Sequence, residues 1–231
     1  MSVATRERPI LMSAPMANAI RSGRKTQTRQ IVKPQPSLDA IALYCGDIHA
    51  HDMEDDETGA SLGFGFQDDA KAWRCPYGQP GDRLWVRETW GLPCWDVDED
   101  GECWGVDDWD GPIPKSPPAF HKPVFAADGR WAGESVEDRG FRWRPSIHMP
   151  RWASRLTLEI TEVRVERLNG IGPRDAYAEG ARCTCMRPVP MCKGNIDAFR
   201  NIWESINGPG SWARNEYVWS ISFRRVEGGA E

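Results

Sequence analysis

Apolar and polar positions alternate most regularly in "RLTLEITEVRVERL", where Leu156, Leu158 and Ile160 hold one phase and Val163 and Val165 the other. A period of two predicts a strand, and the one-residue slip between the two sets predicts a bulge. "GQPGDRLWVRETW" predicts a second strand after a Pro80-Gly81-Asp82 turn, with Leu84 and Val86 alternating against Trp85 and Arg87. "YVWSISFRRV" predicts a third, with Tyr217, Trp219, Ile221 and Phe223 in phase, and "KPVFAADG" a short one that runs into a turn. Helical spacing is confined to three stretches. In "SAPMANAIRSG", Met16, Ala19 and Ile20 form a stripe and Gly23 follows as a stop. "GPRDAYAEG" carries Pro173 in its first turn and Gly180 at its end. "NIDAFRNIWESING" places Phe199, Ile202, Trp203 and Ile206 on one face before Gly208.

Other regions show neither period. "RWRPSIHMPRWASR" is irregular and pinned by Pro145 and Pro150. Residues 35–71 and 93–118 are acidic or rich in Asp, Trp and Pro, and read as two insertions, the first with a brief strand at "LGFGF". Strands outnumber the helices and the helices are short. The pattern therefore predicts one α+β domain over residues 1–231, a closed or nearly closed mixed β-barrel with short flanking helices and two long loop insertions.

Composition narrows the function classes. A net charge of −5 argues against non-specific coating of nucleic acid, which needs a cationic face, yet leaves room for one small basic pocket. No run of about 18 apolar residues offers a membrane span, and Met1–Pro9 shows no apolar signal region, so a cytoplasmic protein without membrane partners is expected. The seven cysteines are odd in number and unevenly spread, which favours reduced thiols over a disulfide framework. The twelve tryptophans exceed what a core of this size needs, and several fall in loops where a ring would line a cleft.

The candidate chemistry lies in "SGRKTQTRQ", where Arg21, Arg24, Lys25 and Arg29 crowd two threonines. Lys25 and Thr28 would make a base and a nucleophile if neighbouring cations and burial pulled the lysine pKa down. In a regular strand residues three apart face opposite sides, whereas a bend would bring them together. On spacing alone a basic exposed turn after a helix fits better.

The same segment is similar to the motif of ASCH-domain proteins, whose fold resembles the PUA-like barrels. "CPYGQPGDRLWVRETW", "WRPSIHMPRWASR", "LTLEITEVRVERL" and "WESINGPGSW" extend the resemblance to the larger members often carried by bacteriophages. Small bacterial relatives in that family include amidohydrolases that release the acyl group of N4-acetylcytidine with a lysine, a threonine three residues on and a later helix glutamate. The resemblance thus implies Lys25, Thr28 and Glu179 as the catalytic set, acting on an N4-acylated cytosine or cytidine without metal or other cofactor. It implies attack by Thr28, proton uptake by Lys25, and Glu179 orienting Lys25 or the hydrolytic water, with Arg24, Arg29 or backbone N–H groups near Gly23 as oxyanion donors. The chain departs from those small enzymes in its greater length, its "HMPRW" segment and its tryptophan-rich insertion. A rival reading keeps the barrel as a module that binds RNA or a modified nucleotide in a cationic cleft without turnover. A third has the tryptophan-rich insertion dock on a protein partner.

Further residues supply a substrate wall or nothing. Trp143, His148 and Trp152, with Tyr77, Trp85 and Trp90, offer rings for stacking on a base; packing at a barrel mouth is the alternative. Glu88, at a strand exit, is a second candidate for the acid, or else a surface partner of a basic side chain. Cys183, Cys185 and Cys192 lack the two-residue gap of a zinc knuckle and read as incidental, with Cys75 or Cys94 the distant candidates for a fourth ligand. The acids of Asp96–Asp110 match no calcium-loop spacing.

Overall fold

The computed structural model describes residues 5–35, 64–66, 69–73, 75–93, 108–109, 111–118, 121–185 and 190–226. Most of both predicted insertions, with Cys94 and all but Asp108 and Trp109 of the Asp96–Asp110 stretch, lies outside these. In chain order the elements are β1 (Glu7–Leu11), α1 (Ala14–Arg21), β2 (Gln27–Ile31), β3 (Phe64–Phe66), β4 (Asp69–Trp73), β5 (Arg83–Arg87), β6 (Trp90–Gly91), β7 (Val124–Phe125), α2 (Val136–Arg139), β8 (Thr157–Arg167), α3 (Pro173–Ala178), α4 (Gly194–Asn207) and β9 (Tyr217–Arg225). No helix among the described residues is long and apolar enough to cross a membrane.

A mixed α+β arrangement results. One sheet runs β1-β5-β8-β9-β2, while β3 pairs with β4 and β6 with β7. β2 and β9 are antiparallel, with Thr28 opposite Ile221 and Gln27 opposite Ser222. The expected closed barrel is not found among the described residues. Closure needs the two edges to pair, and β1 and β2 stand at opposite ends of the strand order.

The interior strands also depart from simple alternation. In β9, Val218, Trp219, Ser220 and Ile221 are all buried, and in β5 so are Leu84, Trp85 and Val86. A strand covered on both faces loses the polar phase that a half-solvated strand shows. β8 runs unbroken through the phase slip, with Leu158, Ile160 and then Val163 buried.

By contact the chain divides into two compact units, one of Met1–Arg6, Ser22–Arg83 and Glu159–Arg224, the other of Glu7–Arg21, Leu84–Leu158 and Arg225–Glu231. The first has a core of Leu168, Ile171, Ala176, Ala181, Phe199, Trp203 and Val218. Here α4 buries Asn195, Phe199 and Trp203, a narrow stripe at a spacing of four. The predicted face of α4 included Ile202 and Ile206, which are instead exposed. Ile202 is turned about 60° off the Phe199 direction, and Ile206 sits in the last turn. α3 starts on Pro173 and stops at Gly180, whose φ of 87° suits a residue without Cβ. The second unit gathers Trp90, Leu92, Phe125, Met149 and Ala153. Its irregular segment resolves into two single 3-10 turns, Ser146–His148 and Arg151–Ala153, each following a proline.

Candidate functional site

The site forms in the first unit, where the chain enters β2. The Thr26 N–H donates to Ala178 O (2.8 Å) and its carbonyl accepts from Phe223 N–H (2.9 Å), so the backbone beside Lys25 is tied to the end of α3 and to β9. Lys25 is thereby held inward. Its Nζ donates to Glu179 Oε2 at 2.5 Å and to the Glu179 carbonyl at 3.0 Å. The two side chains are only 1% and 4% exposed, which makes this a buried ion pair between residues 154 apart in sequence. Glu179 is placed by the end of α3, where its N–H bonds to Asp175 O before Gly180 turns the chain away.

Arg29 completes the cluster from β2. Its guanidinium donates to Gln27 Oε1 (2.8 Å), Glu179 Oε1 (3.1 Å) and Glu166 Oε1, and lies 3.4 Å from Asp175 Oδ2. Arg164 reaches Asp175 (3.5 Å), Glu162 (2.9 Å) and Glu166 (3.9 Å). Gln27 Nε2 donates to Ser222 Oγ, which in turn donates to Glu162. Three cations, Lys25, Arg29 and Arg164, thus face four carboxylates. The cationic cleft expected here is a neutralised network among the described residues, because each buried charge needs a partner of opposite sign. The Arg29 side chain is fully buried, held by Gln27 and three carboxylates and lying 5.8 Å from the centre of the Phe199 ring. Arg24 is exposed and donates to Ser22 Oγ (2.8 Å).

Thr28 is 3% exposed and lies opposite Ile221 on β9. Gln27 and Arg29 bond to each other along one face of β2, so strand alternation turns Thr28 to the other face, beside Ile221. Among the described residues Lys25 Nζ bonds to Glu179 and not to the Thr28 hydroxyl. Tyr77 donates to Gln30 Oε1 (3.3 Å); burial, and secondarily Cys75, push its phenol pKa above the usual value.

The remaining predicted wall residues belong to the second unit. Glu88, 1% exposed, accepts both arms of Arg155 at 2.9 Å, and Arg155 also bonds Asp128 at 2.8 and 2.9 Å. Arg155 lies over the Phe125 ring at 3.8 Å. Burial works against its charge, but Glu88 and Asp128 outweigh burial and raise its pKa further. Trp85 is buried, with Arg87 and Arg151 against its ring. Trp152 packs edge-on to Trp90 and donates to Pro114 O, and Trp143 joins Trp131 and Phe141 edge-to-face. His148 is exposed on its 3-10 turn.

Sequence reasoning missed Glu162, Arg164, Glu166 and Asp175. A signal existed: in "TEVRVER" the charged positions 162, 164 and 166 alternate with Val163 and Val165, which marks one polar strand face. Asp175 precedes Glu179 by four residues, one helical turn. Ser220, 1% exposed with its Oγ unpartnered among the described residues, gave no sequence signal.

Cysteine placement also differs from expectation. Cys183 and Cys185, expected as reduced loop thiols, are joined as a disulfide, and Cys192 Sγ lies 3.2 Å and 3.5 Å from their sulfurs. Compared with known protein families, curated proteins and solved structures, the chain matches none at a significant level.

Proposed function

We propose that this chain is a PUA-like protein of the ASCH type that hydrolyses the acyl amide of an N4-acylated cytosine or cytidine. The observation that carries this reading is the buried Lys25–Glu179 pair at the entry to β2. A lysine enclosed with a single carboxylate has an exchangeable proton and a built-in acceptor for it, which general acid–base chemistry requires. Thr28, three residues on, supplies the hydroxyl, and the short helix α3 supplies the glutamate, as the family resemblance implies.

Lys25 passes a proton to Glu179 and, as the free amine, takes the proton of Thr28 as the hydroxyl oxygen attacks the acyl carbonyl. The tetrahedral intermediate expels the cytosine amine, which takes up a proton from Lys25. Glu179 then returns its proton to Lys25 and, as the carboxylate, takes a proton from the water that attacks the threonyl ester; the Thr28 oxygen recovers that proton as the acid product leaves. Because Thr28 lies on the Ile221 face of β2, its variant decides whether threonine or a water held at the Lys25–Glu179 pair attacks the carbonyl.

The rival, an RNA-binding module without turnover, receives less support. Its cationic cleft would draw on Arg29, which carboxylates already enclose. The test is the ultraviolet absorbance of N4-acetylcytidine, and in parallel N4-acetylcytosine, with wild type, Lys25→Ala, Glu179→Gln and Thr28→Ala proteins whose folding is checked by circular dichroism. Conversion by wild type that is lost in the first two variants supports the amidohydrolase. Activity surviving Thr28→Ala keeps the enzyme and replaces the nucleophile by water. No conversion of either substrate by folded wild type rejects the proposal in favour of the binding module.

A further inference from the structure

The first unit holds a second cluster that amide hydrolysis does not use. The Sγ atoms of Cys183, Cys185 and Cys192 all lie within 4.8 Å of one another. They sit against the start of α4, and two features fix them there. Asn195, fully buried in the first turn, accepts the Cys183 N–H on Oδ1 at 3.0 Å. Gly194 leaves the room that the loop occupies: a Cβ there would come within 2.9 Å of Cys183 Cβ and 3.7 Å of Cys192 Sγ. The sulfurs are therefore gathered at the start of the 14-residue α4.

We propose that the reduced chain binds one thiophilic divalent cation, zinc, through Cys183, Cys185 and Cys192. Reducing the Cys183–Cys185 bond with a thiol or phosphine consumes two electrons and two protons and yields two thiols beside Cys192. Binding then forms three metal–sulfur bonds and releases up to three protons. Three thiolates this close repel one another unless a cation lies between them. The disulfide accounts for two of the sulfurs, whereas the cation accounts for all three. Zinc–sulfur bonds of about 2.3 Å in a tetrahedron put neighbouring sulfurs about 3.8 Å apart, inside the limit that the cluster already meets. Soft thiolates select zinc over magnesium or calcium. The fourth position is left to water or an incoming ligand. Spacing hid the site, because a single residue separates the first two cysteines and the third closes on them only through the fold.

The test uses full-length protein, reduced with a phosphine, stripped of metal, desalted without air and titrated with cobalt(II). One equivalent is expected to raise a thiolate-to-cobalt charge-transfer band and the visible bands of tetrahedral cobalt, both bleached by zinc. Cys185→Ser, at an exposed position, should weaken binding by more than the roughly 10–100-fold that loss of an outer partner costs, while Cys75→Ser leaves it unchanged. Alkylating the thiols of wild type should abolish the bands, which gives a second route should Cys185→Ser misfold. Three titratable thiols in this cluster with no charge-transfer band would overturn the proposal and assign the trio to thiol–disulfide exchange. Undiminished binding by folded Cys185→Ser would overturn it as well.

Discussion

Each unit buries a charged network, and the two pair their carboxylates with different cations. In the first, a lysine meets one carboxylate at 2.5 Å, with Arg29 enclosing the far side of that carboxylate. In the second, Arg155 grips Glu88 with both arms, holds Asp128 and lies on the Phe125 ring. A guanidinium keeps its proton at any accessible pH and matches a carboxylate fork to fork, so the Glu88 network can only position. An ammonium is a compact charge with a transferable proton, so the Glu179 network can position and react. Burial by itself therefore does not set the two carboxylates apart: Glu88 is more enclosed than Glu179, at 1% against 7%. The cation each is paired with does.

The contrast is broken most directly by exchanging the cations. Lys25→Arg keeps the charge but not the transferable proton, and hydrolysis of N4-acetylcytidine should fall by about 10²–10⁴-fold. An unchanged rate in a folded variant would mean that Lys25, like Arg155, only positions. Next in size, Glu88→Ala leaves Arg155 with Asp128 alone. Urea unfolding should show a loss of about 3 kcal/mol, the low end for breaking a buried pair because one partner remains.

Arg155→Lys preserves charge and discards the fork and the stacking on Phe125. A smaller loss of about 1.5–3 kcal/mol is expected in the same urea measurement. Equality with wild type would show that the bidentate geometry contributes nothing.

The smallest effect sharpens the picture of the first unit. Burial raises the Tyr77 pKa, so the folded state favours the neutral phenol more than the unfolded state does. The stabilisation is complete below the unfolded value of about 10 and is lost as pH rises from there through the raised folded value. Thermal melts should therefore drop more steeply above about pH 10 in wild type than in Tyr77→Phe.

Local chemistry made part of this molecule readable. α1 and α3 follow from Gly23 and Pro173–Gly180 punctuation, and β8 from its period-two pattern, because backbone preferences and one-sided burial act within a few residues. The pairing of Lys25 with Glu179 was legible only as resemblance. Spacing offered an exposed basic turn or a bend toward Thr28, and neither named a carboxylate 154 residues away. Ile202 and Ile206 of α4 illustrate the opposite failure, since a helical period shows a stripe but not where the core beneath it ends.

Sequence by itself determined where β5, β8, β9, α1, α3 and α4 run, and that a lysine, threonines and arginines crowd the stretch that enters β2. Tertiary structure decided which charges face each other, that β2 turns Thr28 and Arg29 to opposite sides, that β5 and β9 are covered on both faces, and that three cysteines converge. The physical reason is range: hydrogen bonding and steric preferences are settled between neighbours, whereas burial of charge is settled by whichever distant segment arrives with a partner.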